Sequence, residues 1–142
     1  MVAIERAAKA LIRRQSDGKY LLLTCSLWPE NLRRSQKPDL PGGVVEVDEQ
    51  IEEGLLREVR EEAGLDLLPG SLQLGRCFTY LDGDVSSNFL VYVAEVTGDE
   101  EVVLSWEHES YQWLTAKELL DLEIRRPYPE LFQYLATIHL LV

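Results

Sequence analysis

The chain has 142 residues, which is enough for one domain with a buried core. Its hydrophobic fraction of 46% and charged fraction of 27% are ordinary for a globular protein and argue against disorder or a fibrous repeat. The formal net charge of -11 argues against a broad surface for nucleic acid or anionic membrane, since phosphate backbones need clustered Lys and Arg. A small phosphorylated substrate stays compatible with this charge if a metal ion supplies positive charge.

The N-terminal segment has none of the features of a targeting signal. Residues 1–15 carry scattered charges and no apolar h-region, and no apolar run is long enough to span a membrane. The two cysteines, Cys25 and Cys77, fall in strand-like segments far apart in the sequence. We predict that both are reduced core thiols, as expected for a cytoplasmic protein, and their spacing offers no metal site.

The first two predicted elements form a β-hairpin. Apolar residues dominate segments 7–13 and 19–26, and the turn between them, residues 15–18, ends in the Asp-Gly pair that is typical of hairpins. Residues 27–39 then read as a polar loop with two prolines. This loop carries the main basic cluster of an acidic chain, which consists of Arg33, Arg34 and Lys37. Two interpretations stay open for it, a solvated loop or a loop that contacts an anion.

The clearest helical pattern covers residues 49–63. One arc of the helical wheel is apolar and predicts the core face. Its members are Ile51, Leu55, Leu56, Val59 and Ala63. Asp48 is the predicted N-cap, and Gly64 stands where a left-handed residue would end the helix.

The second half of the chain predicts further strands and two more helices. In order, these are strands near 72–81 and 88–96, a short strand at 111–114, a helix with a capping box at 115–118, and a C-terminal helix whose first residue is Pro129. No repeat or linker interrupts the pattern. We therefore expect one mixed α/β domain over residues 1–142.

Three glutamates of the predicted helix have the spacing that brings side chains to one face. Glu58, Glu61 and Glu62 lie at i, i+3 and i+4. Without partners they would repel one another and tend to take up protons, whereas a hard divalent cation such as Mg²⁺ prefers oxygen ligands. Gly54, one turn before Glu58, costs about 1 kcal/mol inside a helix and leaves room for a loop or ligand. Taken alone, the triad also fits a solvated acidic face.

The wider sequence around these glutamates resembles the Nudix box in full. The pattern is Gly, five residues, Glu, seven residues, then Arg-Glu-aliphatic-x-Glu-Glu-x-Gly-aliphatic, and it matches from Gly43 to Leu65. Chance agreement at all its fixed or restricted positions is about one in a million for such a chain. The flanking segments 40–43 and 107–114 are also similar to the family. The resemblance covers about residues 7–122 and implies an α/β/α sandwich with a mixed central sheet.

The resemblance implies hydrolysis of a nucleoside diphosphate linked to another group, with Mg²⁺ or Mn²⁺ as cofactor. The implied metal ligands are three carboxylates and one backbone carbonyl, those of Glu58, Glu61, Glu62 and Gly42. Arg57 and Glu49 resemble the pair that holds the loop to the helix, and a guanidinium fork suits that task. Glu58 and Glu107 are alternative general bases, and we favour Glu107 as the base or a further ligand.

Other residues have open roles at this stage. Arg33, Arg34 and Lys37 are the expected contacts to substrate phosphates. His108 fits a phosphate donor or a structural imidazole equally well. Aromatic side chains could stack on a base or pack in the core. These aromatic residues are Trp28, Tyr80, Phe89 and Trp106.

The leading hypothesis is a nucleoside triphosphate pyrophosphohydrolase that acts on a small nucleotide. ADP-ribose and dinucleoside polyphosphates are alternative substrates. In the family, a Tyr after the box often marks enzymes that act on dinucleoside polyphosphates, and Tyr80 lies near that position but with marginal spacing. A non-catalytic nucleotide-binding module is a second class, against which the intact glutamates of the box argue. Isomerisation of a prenyl diphosphate is a third. The oligomeric state stays open, and a homodimer is one of the states that the resemblance allows, since dimers are frequent in the family.

Overall fold

The computed structural model describes residues 3–32 and 34–142, except the side chain of Asp82. Within these residues the chain forms seven strands and three helices. The strands are β1 (Ala3–Arg14), β2 (Tyr20–Cys25), β3 (Pro38–Asp39), β4 (Gly42–Val45), β5 (Gln73–Asp82), β6 (Val85–Val96) and β7 (His108–Leu114). The helices are α1 (Ile51–Ala63), α2 (Ala116–Asp121) and α3 (Tyr128–Thr137).

Strand β1 lies at the centre of a mixed sheet. It pairs in parallel with β6 along its whole length and antiparallel with β2 and β4, while β5 pairs antiparallel with β6 and β7 pairs antiparallel with β2. The predicted β1–β2 hairpin is confirmed, with the backbone N–H of Arg14 donating to the carbonyl of Lys19 at 2.7 Å. The predicted strands near 72–81 and 88–96 are confirmed as β5 and β6.

The sheet has a hydrophobic core on each face. Because side chains alternate along a strand, Leu21 and Leu23 of β2 pack with α1, whereas Tyr20 and Leu22 pack with α2 and α3. The result is the predicted α/β/α sandwich with a mixed central sheet. No helix in the described part of the chain has the length and apolar character needed to cross a membrane.

Helix α1 differs from the prediction in one residue of its core face and in its N-cap. Leu56 is 39% exposed, so its assignment to the core face was wrong. Gly54 and Glu62 complete the buried arc instead. The N-cap is Gln50 rather than Asp48, because the chain first makes a turn in which the N–H of Glu49 donates to the carbonyl of Glu46. Gly64 has φ 67° and ends the helix in the left-handed conformation, as predicted.

The C-terminal elements largely follow the prediction. The capping box of α2 is confirmed, with Thr115 and Glu118 each accepting the backbone N–H of the other at 3.1 Å. Strand β7 begins at His108, three residues before the predicted start. Helix α3 begins at Tyr128, so Pro129 is its second residue and not its first.

Candidate active site

Strand β4 and helix α1 bring the glycine pair against the helix carboxylates. A Cβ atom on Gly43 would lie 3.1 Å from the carboxylate of Glu58. Gly42 has φ 136°, and a Cβ atom there would overlap the backbone of Ala8 in β1. Gly42 therefore needs a residue without a side chain, whereas a side chain at position 43 would require the Glu58 carboxylate to shift slightly.

Arg57 joins the loop before α1 to the helix. Its Nε and Nη2 atoms donate to the two carboxylate oxygens of Glu49, each at 2.8 Å. Oε1 of Glu49 also accepts the backbone N–H of Glu46 at 3.0 Å. These bonds, with the one from Arg57 first, lower the pKa of Glu49 to about 2. A Cβ atom on Gly54 would lie 3.0 Å from Oε1 of Glu49, so the predicted room is used by this loop.

The three box glutamates share little positive charge. Nη1 of Arg57 donates to Glu58 at 3.1 Å and to Glu61 at 3.3 Å, although the same guanidinium already holds Glu49. Glu62 is buried, and its Oε2 accepts the backbone N–H of Gly42 at 2.9 Å. The guanidinium of Arg57 therefore serves three carboxylates, those of Glu49, Glu58 and Glu61. Among the described residues, the carboxylate of Glu62 has only a neutral donor, the N–H of Gly42.

Burial leaves Glu62 with an incompletely compensated charge. Desolvation raises the pKa of Glu62 to about 7, even though the ammonium of Lys9 and the N–H of Gly42 act in the opposite direction. A divalent cation at this position would supply the missing positive charge. The groups that could hold it are all oxygens, which fits a hard cation. They are the carboxylates of Glu58, Glu61 and Glu62 and the carbonyl of Gly42.

A second buried acidic group, Asp39, lies on the other side of Lys9. The ammonium of Lys9 lies 3.1 Å from Oδ1 of Asp39 and also donates to the carbonyl of Gly42 at 3.3 Å. The hydroxyl of Tyr128 donates to Oδ1 at 2.8 Å, and Nε2 of His108 lies 3.0 Å from Oδ2. Asp39 was predicted to lie in a polar loop, and this prediction was wrong because β3 pairs with β2 and buries the residue.

The partners of Asp39 outweigh its burial. Desolvation would raise the pKa of Asp39, but Lys9, His108 and Tyr128 together hold it well below its usual range. Burial would likewise lower the pKa of His108, but its hydrogen bonds with Asp39 and Cys25 and the negative charges of Asp39 and Glu62 together raise the value to about 9. Because His108 is buried and its Nε2 faces Asp39, the geometry favours a structural imidazole over a phosphate donor.

The two cysteines have different environments. Cys25 is buried as predicted, with its sulfur 3.7 Å from Oδ2 of Asp39. Cys77 is exposed, so the prediction of a core thiol was wrong for this residue. The ligating atoms of Cys25, Asp39 and His108 lie within 4.8 Å of one another, a spacing that could hold an ion. Since Lys9 and Tyr128 already bind the carboxylate, this cluster does not need one.

The structure divides the predicted basic cluster. Nη2 of Arg34 lies 3.5 Å from Oε2 of Glu107, and its guanidinium lies over the ring of Trp28 at 4.5 Å. Trp28 in turn stacks on Trp106 with ring centroids 5.6 Å apart. Lys37 is exposed. The predicted contact through Arg33 lies outside the described residues. Only Arg34 of the described pair therefore approaches the candidate site.

A cavity of about 250 Å³ opens between β5, β6 and the start of α3. Phe78 and Phe89 stack at 5.6 Å along its wall, and Tyr80 meets Phe89 edge to face at 6.2 Å. Lys9 and Arg125 also line it, and sequence reasoning missed both. A lysine in the middle of the apolar run AAKALI was the available signal for Lys9, whereas the segment of Arg125 carries no motif.

Comparisons with known proteins identify the family of the chain. The NUDIX domain model matches residues 4–135. A nucleoside triphosphatase, NudI, from Escherichia coli is 32% identical over 118 residues, which covers 78% of this chain and 82% of that protein. The structure of a MutT protein from Methanosarcina mazei Go1 has a TM-score of 0.81 and 31% identity, covering 97% of this chain and 96% of that one.

The NUDIX domain of Shewanella oneidensis NrtR, solved with ADP ribose, has a TM-score of 0.75 at 17% identity and covers 98% of this chain and 90% of that one. This likeness concerns the fold alone. The family model spans more than nine tenths of the chain, and Arg57 of the box donates hydrogen bonds to Glu49, Glu58 and Glu61. The chain therefore belongs to the Nudix family of hydrolases, and it is a pyrophosphohydrolase that acts on phosphorus-containing acid anhydrides.

Proposed function

We propose that this enzyme is a nucleoside triphosphate pyrophosphohydrolase that depends on Mg²⁺ or Mn²⁺. The observation that carries the proposal is the buried carboxylate of Glu62, which within the described residues accepts only a neutral N–H donor and lies on the same helix as Glu58 and Glu61. The similarity to a relative named as a nucleoside triphosphatase supports the substrate class. One domain covering residues 1–142 would contain both the cation site and the cavity.

The proposed cation ligands are the carboxylates of Glu58, Glu61 and Glu62 with the carbonyl of Gly42. A divalent cation there would supply Lewis-acid neutralisation of the charge on phosphate oxygens. The protein itself fixes these groups in place. Arg57 binds Glu49 through two parallel bonds, so the loop and the helix keep one relative position. Such support determines how accurately the ligands are oriented.

We propose Glu107 as the group that accepts a proton from the attacking water. Glu58, the alternative, already accepts a bond from Arg57 at 3.1 Å. In the described part of the chain, the carboxylate of Glu107 has only the 3.5 Å contact with Arg34. Its segment is attached to α1, because the N–H of Ser105 donates to the carbonyl of Glu62 at 3.3 Å. An accepting carboxylate on this segment is therefore held near the box.

Substrate phosphates need positive side chains in an acidic protein. We propose that Arg34 contacts them, with Lys37 and Arg33 of the same loop as further contacts. Arg34 lines the cavity and lies beside Glu107, which places its guanidinium between the cavity and the proposed base. The aromatic wall of the cavity suits the nucleoside end of such a substrate.

The test is a screen of nucleotides with product identification, in which Mg²⁺ is present or chelated. We expect nucleoside triphosphates to yield pyrophosphate only with the cation. Glu61→Gln should lower turnover by about 100-fold or more, since it removes a charged ligand. Glu53→Gln is the matched control, because Glu53 is exposed on the same helix and lies away from the box face.

Two outcomes would contradict the proposal. Equal activity of the wild-type enzyme and Glu61→Gln would show that the box carboxylates are not the site. Turnover of ADP-ribose or dinucleoside polyphosphates without turnover of nucleoside triphosphates would show that the substrate class is wrong.

A further inference from the structure

Lys9 links the cavity between β5, β6 and α3 to the glycine pair that precedes the box helix. Lys9 lines the cavity, and the ammonium of the same residue donates to the carbonyl of Gly42 at 3.3 Å. A nucleotide whose phosphates reach the α1 carboxylates would therefore have its nucleoside end within reach of the cavity. This step rests on the proposed function.

The walls of the cavity are flat and apolar. Phe78 and Phe89 are nearly parallel, with an interplanar angle of 9°, and Tyr80 stands edge-on to Phe89. Val91 and Leu131 add aliphatic surface. Aromatic walls of this kind suit a planar base, but every base has a π-face, so they do not choose among bases. Any selection must come from the polar groups.

Four cationic side chains line the cavity and can only donate hydrogen bonds: Lys9, Arg34, Arg125 and Arg126. Three of them are occupied elsewhere. Lys9 binds Asp39, Arg34 is the proposed contact to the substrate phosphates, and the exposed Arg126 donates from Nε to Glu130 at 2.8 Å.

Arg125 is half-buried and held in place. Its Nε and Nη2 atoms donate to the carbonyl of Pro38 at 3.3 and 3.1 Å, and its guanidinium carbon lies 5.7 Å from the ring centroid of Tyr128. Within the described residues its Nη1 has no hydrogen-bond acceptor. Arg125 thus presents a fixed donor to whatever fills the cavity.

The carboxylate that lines the cavity cannot serve as an acceptor for a ligand. Oδ1 of Asp39 accepts from Lys9 and Tyr128, and Oδ2 faces Nε2 of His108. The side chain is 4% exposed. Binding a ligand amino group would require it to give up one of these partners, which is costly for a buried group. Asn31 and Tyr80 can either donate or accept, so they do not discriminate.

We propose that this cavity is a nucleobase site that selects bases with a carbonyl oxygen over bases with an amino group at the corresponding ring position, and that Arg125 is the selecting residue. Guanine, hypoxanthine, uracil and thymine present such an oxygen, and arginine pairs well with the O6 and N7 acceptors of guanine. Adenine and cytosine present an amino group at that position. Both this amino group and the guanidinium of Arg125 are hydrogen-bond donors, so the two cannot pair.

The test uses two pairs of triphosphates that differ in this group: ITP against ATP, and UTP against CTP. With Mg²⁺, we expect kcat/KM to favour the carbonyl member of each pair by roughly tenfold or more. Arg125→Met should bring both ratios close to one, and Arg125→Lys should keep part of the preference. Arg126→Met is the matched control, because it removes a neighbouring positive charge that is committed to Glu130, and it should keep both ratios.

The outcomes separate this inference from the proposed function. Equal kcat/KM within both pairs for the wild-type enzyme would overturn the inference and leave the proposed function intact. An equal fall of the ratios in Arg126→Met would show a general effect of charge and overturn the role of Arg125. If no triphosphate is hydrolysed, the proposed function fails, and the equilibrium affinities for IMP and AMP then test the cavity. Equal affinities would overturn the inference there too.

Discussion

Asp39 and Glu62 are both 3% exposed, yet burial has opposite results at the two carboxylates. Asp39 accepts bonds from Lys9 and Tyr128 and faces His108, and its pKa lies well below the usual range. Glu62 has one neutral donor, the N–H of Gly42, and desolvation raises its pKa to about 7. The same burial therefore produces a satisfied structural site in one place and a deficit of positive charge in the other.

Compensation of the negative charge by neighbouring donors and cations, rather than burial, therefore distinguishes a structural acidic group from a candidate functional one. A buried charge that has partners stabilises the fold only modestly, but loss of one partner is costly. A buried charge without partners is itself a cost, and such a cost persists where a ligand repays it. Each prediction below changes one side of this contrast.

Asp39→Ala should have the largest effect on stability. It leaves the ammonium of Lys9 and the ring of His108 buried without their carboxylate, so we expect a loss of about 3–5 kcal/mol in the free energy of unfolding. Urea denaturation measures it. Asp121→Ala, which breaks an exposed pair with Lys117, is the control and should cost less than about 1 kcal/mol. Similar losses in the two variants would show that the Asp39 site is not the compensated centre described above.

Glu62→Gln should stabilise the protein when divalent cations are chelated. The folded pKa of about 7 exceeds the usual value of 4.5, so the folded state binds more protons and the wild type loses stability as the pH rises through this interval. We expect the variant to be more stable by about 1–3 kcal/mol at pH 8 and to lack this slope. Thermal unfolding at several pH values in EDTA measures both. If the stability of the variant and that of the wild type changed with pH in the same way, the charge of Glu62 would not be incompletely compensated in the folded protein.

Arg57→Lys tests how the box is held in position. Lysine keeps the charge but cannot make the two parallel bonds to Glu49, so kcat/KM should fall by about tenfold. Arg60→Lys changes an exposed residue of the same helix that pairs with Asp66, and it should leave kcat/KM unchanged. A kcat/KM of Arg57→Lys equal to that of the wild type would mean that other contacts hold the loop.

The smallest expected effect concerns the thiols. Cys25 belongs to the buried Asp39 site, whereas Cys77 is exposed. A maleimide reagent should therefore modify one thiol of the native protein rapidly, and Cys77→Ser should abolish that reaction with little change in stability. Rapid labelling of Cys25 in the native protein would show that the Asp39 site opens to solvent.

Local sequence patterns correctly predicted the end of the box helix, one capping box and the first hairpin. The left-handed Gly64, the capping box of Thr115 and the hairpin before Tyr20 each depend on neighbouring residues, and the structure contains all three. Whether a given apolar side chain is buried or exposed was harder to predict. Leu56 and Cys77 were assigned to the core from periodicity or strand propensity, which do not show whether another element covers that position.

The Asp39 site could not be predicted from local patterns. Its partners Lys9, His108 and Tyr128 are 30, 69 and 89 residues away in the sequence, and only the packing of β1, β7 and α3 brings them together. A lysine within an apolar strand was the one visible sign. The cytoplasmic location expected from the sequence and the homodimer that the resemblance allows stay predictions.

Isothermal titration of Mn²⁺ into the protein with a non-hydrolysable nucleoside triphosphate analogue present tests the central claim most directly. We expect saturable binding to the wild type, binding at least about tenfold weaker in Glu61→Gln, and unchanged binding in Glu53→Gln. Absence of binding to the wild type, or equal binding by all three proteins, would contradict the claim that the box carboxylates hold a divalent cation.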